Sequence, residues 1–246
     1  MPFSGFVWFF LMLLPLVYLQ RFLHREIQMV IYVITRNESL TIIIYSILFL
    51  PGVFLHEASH YLMAKILGVQ TGKFSVIPQV MDKGRLRMGY VETVQSDVLR
   101  DSLIGLAPLI AGTLVVAYAS IVKLQINTLW DVFQNGQWNL FFMGLGLLGD
   151  IPDFYLWFYL TFAVSSTMLP SESDRHSWMP LGIWIAVLFS LAIFSGAGAW
   201  MISYIAPPLN HFLNSIALLF MLSNIVHLVL FIPFYLLRKA LMLFLV

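Results

Sequence analysis

Apolar and polar positions fall in long blocks along this chain rather than in the short periods of a water-soluble fold. Residues 3–19 are almost wholly apolar, with Arg21 and Arg25 behind them and no basic residue ahead. That arrangement predicts an uncleaved membrane span rather than a secretory signal. Residues 27–35, IQMVIYVIT, are too short to cross alone and are expected to lie at the interface or to extend the first helix. Residues 40–67 form the second block, about 40 Å long as a helix, with Pro51 and Gly52 expected to kink it. A polar segment, about 70–97, follows, in which Leu86, Met88 and Tyr90 alternate with Arg85, Arg87 and Gly89. This period of two predicts strands, with M-D-K-G at 81–84 as the turn.

Three further apolar blocks cover 103–122, 179–204 and 209–237. Between the first two, G-D-I-P-D at 149–153 divides residues 138–169 into a short piece, expected to be partly inserted or interfacial, and a span over 154–169. The pattern predicts an all-α polytopic membrane protein: about six transmembrane helices, with a small β-hairpin-like segment after the second. Residues 1–246 read as one membrane domain, without room for a separate soluble domain.

Composition agrees, with 60% apolar and 10% charged residues. The net charge of +1 and the lack of any basic run argue against a nucleic-acid partner and leave the lipid bilayer as the surroundings. Cysteine is absent, so any metal must be held by His, Asp or Glu. In the six-span arrangement the C-terminal end of the 40–67 helix shares its side with Lys65, Lys73, Lys83, Arg85, Arg87, Arg100, Arg175, Arg238 and Lys239. The other side holds Arg21, Arg25, Arg36 and Lys123. Nine against four places the first side, and both termini, in the cytoplasm.

One short motif breaks the apolar logic. L-H-E-A-S-H at 55–60 puts two histidines and a glutamate inside a block that otherwise suits lipid, where ionisable groups are costly and mark function. On a helix His56 and His60 differ by about 40° around the axis and about 6 Å along it, so both imidazoles can face one ion. Glu57 lies about 100° round from His56, close enough to act on a water molecule without being a ligand. The bland alternative is that all three are interhelical hydrogen-bonding groups. A catalytic zinc site needs a third protein ligand. The span over 154–169 ends on the same side as the motif, which brings Asp174 to a compatible depth, with Glu172 and His176 as competitors. Pro170 lets the backbone unwind there. His211 and His227 have no partner pattern and read as interfacial or interhelical groups.

The chain resembles the site-2 protease family of intramembrane zinc metalloproteases, as a divergent member. The resemblance rests on F-L-H-E-A-S-H, on G-L-A-P-L-I-A-G at 105–112 in a following span, and on a later span that ends in a proline-containing segment with an aspartate. It covers about residues 40–176. It implies Zn2+ as cofactor, His56, His60 and Asp174 as metal ligands and Glu57 as catalytic base. At the later motif Ser166 stands where the family commonly has Asn, Pro170 is present, and Arg175 replaces a Gly. The implied activity is hydrolysis of peptide bonds in membrane-anchored protein substrates, with the active site toward the cytoplasmic face. Ser166 and His176 are the candidates to steady the developing oxyanion. The polar hairpin is then either a strand edge that accepts extended substrate backbone or an amphipathic loop at the membrane surface. A reading from another class is a non-proteolytic metal-binding membrane protein, either a transporter or an inactive protease-like scaffold.

Overall fold

The structure is a computed structural model and describes residues 4–80 and 86–245. Helix α1 (Ser4–Thr35) is continuous, so residues 27–35 extend the first span rather than forming a separate segment. Arg36, with a positive φ of 51°, turns the chain, and the Asn37 side chain caps α2 (Glu38–Ile66) by accepting from the Leu40 N–H at 3.1 Å. Pro51 sits inside this helix without dividing it. Gly68, at φ 69°, then releases the chain into strand β1 (Thr71–Ser75).

Strand β1 pairs antiparallel with β4 (Tyr90–Thr93), and the short β2 (Gln79–Val80) pairs with β3 (Leu86–Arg87). The expected 81–84 turn lies outside the described residues. The hairpin is packed against the helices. Val76, Leu86 and Met88 pack onto the buried cluster formed by Leu23, Ile27, Tyr45, Phe49, Val53, Phe162 and Val226 from four helices. The alternation of apolar and polar residues supplies the reason: one face of the hairpin is apolar enough to pack into the helices.

Asp97 caps α3 (Val98–Tyr118) through the N–H groups of Leu99 and Arg100, and a π-helical turn (Ala119–Lys123) extends it. Two short helices, α4 (Ile126–Gln134) and α5 (Trp138–Gly146), lead to α6 (Phe154–Ser165). Beyond it come α7 (Trp178–Phe194), α8 (Gly198–Tyr204) and α9 (Ala206–Leu245).

The six-span expectation is met only in part. Among the described residues four helices are long and apolar enough to cross a membrane, namely α1, α2, α3 with its extension, and α9, or five if the bent pair α7–α8 counts as one span. The block at 179–204 is instead a pair, α7 and α8, bent by 113°. The break falls at Ser195–Gly196–Ala197, where Gly196 takes a φ of 88° that a residue with a side chain adopts only under strain. Helix α6 has 12 residues, about 18 Å, against a hydrocarbon core of about 30 Å. It ends four residues before the expected limit because the chain leaves helical geometry after Ser166, ahead of Pro170.

This change reverses the relation of the termini. The N–H of Gly5 donates to Asn210 Oδ1 (2.6 Å), Asn224 Nδ2 donates to the Met12 carbonyl (2.8 Å), and Arg238 pairs with Glu26. Residue numbers rise together along these links, so α1 and α9 run parallel and the chain ends lie at opposite ends of the bundle. Arg238 and Lys239 therefore join the end that holds Arg25, which takes two of the nine charges from the first side and adds them to the other. The charge bias that placed both termini in the cytoplasm disappears.

Helix contacts in lipid gain little from hydrophobic transfer and rest on close packing and polar links. Gly52 provides one such approach: a Cβ there would stand 2.2 Å from the Ala163 carbonyl oxygen, so α2 and α6 touch backbone to backbone. Gly112 makes room on α3 for the Met168 side chain, whose Cβ would stand 2.3 Å from an added Cβ. These contacts bring the end of α6 onto the C-terminal half of α2.

Candidate metal centre

His56 and His60 occupy that half of α2, and each ring is fixed through Nδ1. The His56 Nδ1 lies 2.6 Å from the Thr167 carbonyl oxygen, and the His60 Nδ1 lies 2.8 Å from that of Ile104. A carbonyl only accepts, so both Nδ1 atoms carry hydrogen and each ring, in its neutral form, turns an Nε2 lone pair outward. The two Nε2 atoms stand 3.2 Å apart.

Asp174 closes the group. Its Oδ1 is 3.3 Å from His60 Nε2 and its Oδ2 is 3.5 Å from His56 Nε2. Around a tetrahedral zinc, with ligand bonds of about 2.0–2.1 Å, neighbouring ligand atoms are about 3.3 Å apart. Separations of 3.2, 3.3 and 3.5 Å therefore match one face of such a polyhedron. Two lone pairs and a carboxylate held this close repel one another unless a cation or a proton sits among them. The chain builds the group from α2 and from the segment after α6, and its three residues can hold a metal ion.

Several contacts fix the Asp174 segment. The Ser171 N–H and hydroxyl both donate to Asp174 Oδ2 at 2.7 Å, and the Ser102 hydroxyl donates to the Ser177 carbonyl at 3.2 Å. His176 Nε2 lies 3.5 Å from the buried Asp101 on α3. Gly105 admits the Asp174 backbone: a Cβ there would fall 1.9 Å from its carbonyl oxygen. Burial alone would raise the Asp174 pKa, but a positive charge shared with the facing His56 and His60 Nε2 atoms, together with the Ser171 hydrogen bonds, outweighs it and holds the carboxyl well below the usual range. It is a carboxylate, the ligand form, at neutral pH.

Glu57 is buried beside the group without belonging to it. The hairpin backs onto its side chain at Gly89, where a Cβ would come within 2.9 Å of Glu57 Cγ and 3.0 Å of the Ser75 carbonyl oxygen. His56, Glu57, His60 and Asp174 share a cavity of about 530 Å³, walled further by the Leu86–Val91 strand segment and by Gln20 and His24 of α1.

No family model, curated protein or solved structure matches the chain. What the group can do follows from its own geometry.

The structure brings together the three residues named as ligands, whereas the competitors sit elsewhere: Glu172 is exposed, and His176 turns to Asp101. Of the two oxyanion candidates, both line the cavity, but Ser166 gives its hydroxyl hydrogen to His227 Nε2 at 3.0 Å. That bond also gives His227 the interhelical role expected of it. The orienting carbonyls of Ile104 and Thr167 had no sequence signature, since any residue supplies one. Gly105 did have a signal, as the first residue of G-L-A-P-L-I-A-G.

Proposed function

We propose that this chain is an intramembrane zinc metalloprotease that hydrolyses peptide bonds of membrane-anchored proteins. The observation that carries the reading is the pair of converging Nε2 lone pairs, each with its Nδ1–H committed to a backbone carbonyl, facing one carboxylate beside a buried glutamate. A hydrogen bond on the far nitrogen is how proteins orient metal-binding imidazoles. Two histidines and a carboxylate, on oxygen and nitrogen alone, suit zinc and leave a fourth position open.

A zinc ion held there supplies Lewis-acid polarisation of a carbonyl and acidifies a water molecule. The protein does the rest. The Glu57 carboxylate takes the proton of the attacking water and returns it to the leaving amine nitrogen, so one group serves as base and then as acid. The carbonyls of Thr167 and Ile104 keep both rings turned inward through the cycle. The cavity, walled on one side by the hairpin, has room for a few residues of unwound chain, the form in which a peptide carbonyl is exposed to attack.

The test is metal removal. Purified protein in detergent is expected to cleave a transmembrane reporter, to lose cleavage on incubation with a strong chelator, and to recover it with stoichiometric zinc. Cleavage indifferent to the chelator would remove the proposal.

A further inference from the structure

The rings of the metal centre are oriented by carbonyls, and one of those carbonyls sits at a backbone discontinuity. Thr167, which receives the His56 N–H, directly follows Ser166, the last residue before α6 gives way to the Asp174 segment. A chain leaving a helix has carbonyls without helical partners, and within a packed bundle few other groups can satisfy them. Its position must therefore be set by neighbours.

Two side chains converge on Ser166, and neither comes from α2, α3 or α6. Gln20 of α1 donates its amide N–H to the Ser166 carbonyl. From α9, His227, fully buried, accepts the Ser166 hydroxyl at Nε2. The direction of this bond is fixed, because His227 Nδ1 lies 2.7 Å from the Ser223 carbonyl and must be the protonated nitrogen. Ser166 itself is 1% exposed, so no solvent competes. The links run without a gap: the Ser223 carbonyl holds His227, His227 holds Ser166, and the next residue's carbonyl holds His56.

We propose that His227 is a positioning residue for the metal centre. Reaching in from α9, it clamps Ser166 so that the Thr167 carbonyl meets His56 Nδ1 and the segment beyond delivers Asp174. The α1–α9 pair is then part of the site's alignment as well as its lipid-facing flank. The inference rests on His56, His60 and Asp174 being metal ligands; it does not depend on the reaction catalysed.

The experiment uses the full-length protein and two readouts besides activity: zinc affinity by competition with a chromophoric chelator, and the visible absorption spectrum of the cobalt-loaded protein. Partners that orient ligands typically change metal affinity by about 10–100-fold when lost, and His227 acts through one further bond, so His227→Leu is expected to weaken zinc by about tenfold and to alter the cobalt bands. His227→Gln, whose amide oxygen can accept the Ser166 hydroxyl, restores most of both. Ser166→Ala, a smaller change that threatens folding less, reproduces the Leu phenotype, and the double variant is no worse than either single one. Wild-type affinity and cobalt bands in His227→Leu or Ser166→Ala overturn the proposal, as do losses that simply add. A wild-type protein that binds neither zinc nor cobalt overturns it together with the metal reading, which separates the two failures.

Discussion

Glu57→Gln is expected to bind zinc as tightly as the wild type and to cleave a transmembrane reporter more slowly by about 10²–10⁴-fold, the usual contribution of a positioned acid–base group. Glutamine keeps the size and the polar head of the side chain, so the packing against Gly89 persists, whereas its amide cannot take a proton from water at neutral pH. Glu57 lies outside the group of three residues able to hold a metal, which is why stoichiometry is expected to survive. Inductively coupled plasma measurement of zinc, run beside gel-based cleavage, reads both halves. Zinc retained with undiminished function in Glu57→Gln would point instead to a transporter or an inactive scaffold that merely holds an ion.

Gly105→Ala should damage the site from a distance. The new methyl carbon would lie 1.9 Å from the Asp174 carbonyl oxygen, less than a carbon and an oxygen can approach without a bond, so α3 or the Asp174 segment must move by more than about 1 Å. Losing the orientation of a metal ligand typically costs about 10–100-fold in metal affinity. Zinc affinity is expected to fall by about that factor, with about 1–3 kcal/mol lost in stability from overpacking. Gly198→Ala on α8 is the control, since its nearest neighbour would be 3.8 Å away, an ordinary contact. Titration of zinc against a competing chelator decides the matter: equal affinities in the two variants would show that the Asp174 backbone does not need the space at Gly105.

The sequence carried the motif well because its signal is local. His56, Glu57 and His60 are set by the pitch of one helix, and a helix through residues 40–67 was written in the apolar block itself. Asp174 was harder, since its place depends on where α6 stops, and the choice among Asp174, Glu172 and His176 turned on a segment without periodicity. The hairpin's strands were visible in the alternation at 85–90, while their packing into the helices depended on partners remote in sequence. The failures share one cause. An apolar run states that a segment can sit in lipid, yet says nothing of whether it crosses straight, and the bend at Ser195–Gly196–Ala197 reversed the direction of α9 and with it the apparent side of Arg238 and Lys239. Second partners such as the carbonyls of Ile104 and Thr167 belong to the backbone and leave no residue type to read.

The central claim is that α2 and the segment after α6 grip one zinc through two imidazoles and a carboxylate. X-ray absorption at the zinc edge on purified protein measures this directly. One zinc per chain, with the multiple-scattering pattern of two imidazoles, ligand distances of about 2.0–2.2 Å and an altered first shell in Asp174→Ala, is the predicted result. A protein that carries no stoichiometric zinc after metal loading, or whose zinc spectrum is the same with His56 and His60 both changed to Ala, would contradict it.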